Sequence, residues 1–167
     1  MKQASFIITI CLAAVCFSCS KADPELEREF QRFASQIDLS QKNQFKESDL
    51  CKDGVLSKTT IETYVDGALS VVSEVADFED DRFDLEKDHG VIRTQSWGTS
   101  NGSWLYSHNY LMMVFQDGIA CCFEVVSVTN GTLLLKAEKP SKTGMGTIPY
   151  YMDMSGTHQF IVREYGL

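Results

Sequence analysis

Tyr110-Leu111-Met112-Met113-Val114-Phe115-Gln116-Asp117-Gly118-Ile119-Ala120-Cys121-Cys122-Phe123-Glu124-Val125 is the stretch on which the fold is read. Two apolar runs flank an Asp-Gly pair, which is a short-range hairpin signal. Side chains of a strand alternate between faces. Alternation puts Leu111, Met113 and Phe115 on one face and Tyr110, Met112 and Val114 on the other. Across the turn, Ile119, Cys121, Phe123 and Val125 share a face. Both faces are apolar, so some of the outer surface must be covered as well.

The same grammar extends in both directions. His108-Asn109 and Asn130-Gly131 are further turns, joining Ser103–Ser107 and Thr132–Glu138 to this hairpin. Upstream, Val55, Ile61 and Val65 alternate with Lys58, Glu62 and Asp66, and Asp66-Gly67 turns into Ala68–Phe78. Arg82–Lys87 follows, then a turn at Asp88-His89-Gly90, and Val91–Trp97 returns. Gly98–Gly102, rich in Ser, Asn and Gly, reads as a loop. Downstream, Lys139–Gly146 reads as a longer loop, and Ile148–Met154 with His158–Tyr165 as a last hairpin around Ser155-Gly156. The spacing predicts an all-β fold of about nine strands. The expected topology is an antiparallel meander closing into a β-barrel or sandwich, and sequential tight turns favour closure because it removes exposed edges.

A helix precedes the strands. Pro24 is suited to a first helical position, and Asp23 to the cap before it. Leu26, Phe30, Phe33, Ala34 and Ile37 fall on one stripe at helical spacing. The opposite face carries Glu25, Arg28, Glu29, Gln31 and Arg32, so it is not the basic face of a membrane-surface helix. The expected division is a leader over 1–18, a tether over 19–23, the amphipathic helix over 24–38, a connector over 39–53 with Phe45 and Leu50 as anchors, and the β domain over 54–167.

The leader carries Lys2 and then an apolar run from Phe6 to Phe17, broken only by Thr9. It is too short to span a bilayer, which needs about 20 apolar residues. With Ser18 before Cys19 it has the layout of a secretory signal. Phe17-Ser18-Cys19-Ser20, followed by Lys21 and acidic residues, resembles the lipobox of bacterial lipoproteins, in the form used by the Bacteroidetes group. That resemblance implies a lipid on Cys19, with the chain anchored to the outer membrane on its periplasmic or cell-surface side. Cys16 is a rival anchor, and a plain signal cut near Ser18 or Ala22 would release a periplasmic protein.

Cleavage before Cys19 leaves 149 of the 167 residues, enough for one domain with a real core. The net charge of −8 becomes −9 once Lys2 leaves, which argues against nucleic acid and against docking on anionic lipid. Cys51, Cys121 and Cys122 remain, so at most one disulfide forms among them.

Between Asp81 and Glu138, Phe83 and Leu85 precede Asp88–Gly90, then come Gly102-Ser103-Trp104, Asn109-Tyr110-Leu111, Thr129-Asn130 and Leu133-Leu134-Leu135. That order of features resembles the small lipocalin-like lipoprotein domains of the same bacterial group. Those domains also carry a Gly-x-Trp on the first strand, whereas Asp49–Ile61 has no Trp. The resemblance implies a barrel that binds a small ligand.

No motif for catalysis stands out. His89, His108 and His158 sit at turns or strand ends without metal-ligand spacing, and there is no Cys-x-x-Cys. Glu79, Asp80, Asp81 and Asp84 lack the calcium-loop pattern and read as a solvated charge run. No cofactor and no metal is expected. The leading expectation is a non-enzymatic, lipid-anchored envelope protein holding a small apolar ligand among Trp97, Trp104, Tyr110, Phe115 and Phe123. The alternative is a protein-interaction or glycan-binding subunit of an envelope complex with a filled interior. Its binding surface would lie at Gly98–Gly102 or Lys139–Gly146.

Overall fold

The computed structural model describes residues 24–34, 37–76, 80–138 and 154–167. The leader, Cys19 and the tether lie outside the described residues, as do all of Lys139–Gly146 and all of Ile148–Met154 but Met154. Among the described residues two helices, α1 (Pro24–Ala34) and α2 (Glu47–Leu50), precede nine strands. The strands are β1 (Asp53–Val65), β2 (Ala68–Glu74), β3 (Asp81–Leu85), β4 (Gly90–Gln95) and β5 (Gly98–Ser107). β6 (Tyr110–Phe115), β7 (Ala120–Val128), β8 (Thr132–Glu138) and β9 (Thr157–Gly166) complete them.

All nine belong to one antiparallel sheet, and from β3 to β9 each strand pairs with the next. The ring closes because β1 pairs with β9 from Val55 to Val65. The other edge of β1 is shared: Asp53, Gly54 and Val55 pair with β3, while Thr60 to Val65 pair with β2. The β1–β2 hairpin therefore leans out of the ring, and β2 is exposed along its whole length. Its turn has Asp66 and Gly67 at φ 47° and 79°, the left-handed pair that a two-residue hairpin requires. His108 and Asn109 make the same kind of turn, at φ 53° and 68°.

The alternation read around Asp117-Gly118 holds. Leu111, Met113, Phe115, Cys121, Phe123 and Val125 pack inside the ring with Trp104, Leu133, Leu135 and Tyr165. Tyr110, Met112, Val114, Ala120 and Cys122 face outward under Phe33 and Ile37. α1 thus covers an apolar outer face, as its stripe predicts. Cys121 and Cys122 consequently point to opposite sides of the sheet, and Cys51, Cys121 and Cys122 are all free thiols.

Gly98–Gly102 is not a loop. It is the first half of β5, and the turn lies before it, at Ser96-Trp97. The Gly and Ser content has a different cause. A Cβ on Gly102 would collide with the Val114 carbonyl oxygen of β6, so the position demands glycine by close approach. Val55 and Val65 also depart from expectation, being exposed: Val65 is the last residue of β1, next to the Asp66-Gly67 turn, and Val55 lies before a change of register. A bulge lies between Leu56 and Lys58, so the inward face passes from Leu56 to Thr59 and Ile61.

The connector closes one end of the ring. Leu50 is buried among the interior side chains, with Phe45 against them. Tyr106 OH donates to Asn109 Oδ1 at 2.9 Å, and Asn109 Nδ2 donates to the Val125 carbonyl at 2.9 Å. Asn109 N donates to Asn43 Oδ1 at 2.9 Å, and Phe45 N to Tyr106 OH at 3.3 Å.

Candidate functional site

The five aromatics expected to form a ligand cup do not come together. Trp104, Phe115 and Phe123 are packed solid in the interior. Trp104 Nε1 donates to the Glu86 carbonyl at 2.9 Å, and its ring lies 5.2 Å from that of His89. Tyr110 sits across the sheet, beneath α1. Trp97 stands 64% exposed in the β4–β5 turn. Their alternation was legible, and the packed interior is the one that the alternative expectation carried.

The site lies at the other end of the ring from the connector. After Val55, β1 leaves β3 and turns to β2, and a cleft opens where the two part. It measures about 250 Å³ and is lined by Leu56, Thr59, Ile61, Val75, Asp81, Gln95, Ile161 and Arg163. Inward alternation sets these positions. Asp81 shares a face with Phe83 and Leu85 on β3, and Gln95 with Arg93 and Val91 on β4. On β9, Ile161 and Arg163 share the face of Tyr165.

Asp81 is the centre of the polar wall, and it is only 4% exposed. Arg93 grips it with both arms of the guanidinium, Nε to Oδ1 and Nη2 to Oδ2, each at 2.8 Å. Arg163 Nη1 donates to Oδ2 at 3.0 Å, and Tyr165 OH donates to the same oxygen at 3.1 Å. A buried carboxylate is tolerable only with such a full set of donors. The expectation that Asp81 belongs to a solvated charge run is corrected here. Asp81 opens the alternating series Asp81-Phe83-Leu85, so period two turns its side chain inward.

The electrostatics are one-sided. Burial alone would lower the pKa of Arg93, but its hydrogen bonds and charge interaction with Asp81 outweigh this and hold it above the ordinary value. Burial likewise opposes the Arg163 charge, and the Tyr165 and Asp81 oxygens outweigh it. Burial raises the Tyr165 phenol, which stays protonated as a donor. Two guanidiniums thus face one carboxylate, and no other described carboxylate pairs with either. The side chain of Arg163 is 27% exposed, against 14% for Arg93, so Arg163 is the more accessible charge. Thr59 also lines the cleft, and its buried Oγ1 has no hydrogen-bond partner among the described residues. Below the charges, Phe83 and Tyr165 stack at 4.5 Å and Arg93 lies 5.8 Å from the Phe115 ring centre.

Arg93, Arg163 and Thr59 were not singled out from the sequence. An arginine between Ile161 and Tyr165 at period two was the available signal for Arg163. Thr59 has the parity of Ile61, and a hydroxyl on that apolar face was its available signal; the bulge at Ser57 instead hid Leu56, which faces inward in place of Val55. No group of three or more His, Cys, Asp or Glu residues among the described residues is arranged to hold a metal ion.

No protein-family model matches the chain, and neither does any curated protein or solved structure.

Proposed function

We propose that this chain is a lipid-anchored binding protein of the bacterial envelope, acting by binding and not by catalysis. In this reading Cys19 carries the lipid, the closed sheet is a small lipocalin-like β-barrel, and the ligand sits at its open end. The observation that carries the reading is the cleft of about 250 Å³ between β1 and β3. It joins apolar walls to a few fixed polar groups, the composition of a small-molecule site. The connector blocks the opposite end, so a ligand enters from the Asp81 side. The leader supports the anchor, through Ser18-Cys19 after its apolar run.

The test is organic-solvent extraction of the full chain purified from its native envelope, followed by mass spectrometry. A small molecule near one per chain is expected, and Val75→Trp, which fills the cleft, should abolish it. A compound retained by Val75→Trp, or none at all, would contradict the reading. The anchor has its own check: Cys19→Ala should remove lipid labelling of the chain.

A second reading rests on β2. Leu69, Val71 and Val72 are each more than half exposed, and among the described residues β2 has only β1 as a neighbour. An open strand edge of this kind fits an envelope protein partner that adds a strand. It takes the place of Gly98–Gly102 as the surface for that reading. Loss of in-envelope crosslinks to a specific protein in Leu69→Lys, with solvent-extracted ligand absent, would favour it.

A further inference from the structure

We infer that the ligand of the cleft is an amphipathic organic anion, a medium-chain carboxylic acid whose carboxylate is held by Arg163 and Thr59. This inference rests on reading the cleft as a ligand site, and it names the ligand's chemistry.

The charge balance is the first ground. Asp81 neutralises one of the two guanidiniums, and the bidentate geometry assigns it to Arg93. Arg163 spends one nitrogen on Asp81 Oδ2 and lines the cleft. A guanidinium has five N–H donors. The donors that Arg163 does not spend on Asp81 and on its hydrogen bond with Tyr165 are therefore available at the cleft, beside one unit of positive charge in excess.

The second ground is independent. Thr59 pairs directly with Arg163 across β1 and β9, so the two side chains stand together on the inward face. Its Oγ1 is buried without a partner among the described residues. Buried hydroxyls are nearly always hydrogen-bonded, and one that is not marks a place where a partner is missing. An anion at Arg163 would supply the acceptor for that hydroxyl.

The third ground is the remaining wall. Leu56, Ile61, Val75 and Ile161 are apolar and Gln95 is uncharged, so only one part of the ligand is charged. The cleft's 250 Å³ equals about eight water volumes of about 30 Å³ each. A carboxylate with a chain of about eight carbons is of that order. General attraction cannot supply the affinity, because the chain as a whole is at −8. The recognition must be local.

The probes are octanoate and octanol, which share a chain and differ in the head group. Each is titrated calorimetrically into the full chain in phosphatidylcholine nanodiscs, with empty nanodiscs as the blank. Octanoate should bind at least tenfold more tightly than octanol. Arg163→Gln should erase that preference while leaving octanol affinity within about twofold. Thr59→Val, which keeps the side-chain shape and does not touch the Asp81 network, should reduce the preference severalfold. Near-UV circular dichroism checks that each variant is folded. Equal binding of the two probes would overturn the anionic head group while leaving the cleft as a site. A preference that survives in both variants would also overturn the inference. Binding of neither probe would remove the cleft reading itself.

Discussion

Asp81→Asn should destabilise the fold by about 3 kcal/mol. The substitution keeps the volume of the side chain, so no cavity opens and the loss is electrostatic. It removes the one negative charge that faces Arg93 and Arg163, and it replaces an acceptor of four hydrogen bonds with an amide whose nitrogen must meet a donor. Removing one partner of a buried ion pair costs about 3–5 kcal/mol, because the other is left desolvated and unpaired. The lower end applies here, since the side chain of Arg163 keeps 27% of its surface and draws on water. The assay is urea unfolding of the full chain. With a slope of about 2 kcal/mol per M, the midpoint should fall by about 1.5 M. The thermal midpoint should drop by about 6–12 °C. Asp80→Asn, its exposed neighbour, serves as the control and should leave the midpoint in place. Adding Arg163→Gln to Asp81→Asn should recover part of the loss, because a guanidinium without a counter-charge goes with it. A midpoint shift of Asp81→Asn no larger than the control, or a double variant as unstable as the sum, would refute the account of the network.

Thr59→Val should raise stability by about 1 kcal/mol, the low end of the cost of an unsatisfied buried hydroxyl, and a thermal melt 2–4 °C higher, roughly, would show it. Gly102→Ala should cost about 2 kcal/mol by pressing a methyl group on the Val114 carbonyl, and an unchanged urea midpoint would refute the close approach. Burial pushes Cys121 up to about 11 and Tyr110 up to about 12, and raises Cys122 and Tyr165 as well. The unfolded chain therefore ionises first, and stability that is complete below about pH 9 is lost as pH climbs through the folded values. The melting temperature should fall between pH 9 and pH 10.5. Peptide mapping after alkylation at pH 8 should find Cys121 and Cys122 protected in the folded chain and labelled in urea.

The order of strands was legible because turn chemistry is local. Asp66-Gly67, His108-Asn109, Asp117-Gly118 and Asn130-Gly131 each announce a reversal, and each lies between paired strands. The covered outer face was legible too, because Tyr110, Met112 and Val114 are apolar where a solvated strand would be polar. The Gly98–Gly102 segment misled for a physical reason: small polar residues look alike whether they loop or line a crowded strand pair. The cleft was hidden by two features that act at long range. A bulge at Ser57 puts Leu56 inward where alternation back from Ile61 points to Val55, and the departure of β1 from β3 depends on the pairing of strands far apart in the chain. Asp81 was visible as an acid, but its partners lie 12 and 82 residues away.

The place of the cleft follows from the length of β1. Thirteen residues serve two neighbours on one edge, so β3 keeps a partner only up to Val55, and the ring lacks rungs at Asp81. Asp81 joins β3 to β4 through Arg93 and to β9 through Arg163 and Tyr165, spanning the gap with side chains where backbone pairing fails. That bridge needs only one guanidinium for charge balance, and Arg93 supplies it in bidentate form. Arg163→Gln should therefore cost only about 1 kcal/mol, the scale of a partly solvated ion pair. A structural role alone would make the two arginine variants alike in stability. Comparison of the urea midpoints of Arg93→Gln and Arg163→Gln decides the point. A large loss for Arg93→Gln and a small one for Arg163→Gln would mean that the second charge is kept for something other than folding. Equal losses would make both arginines structural, and the anion would lose its binding group.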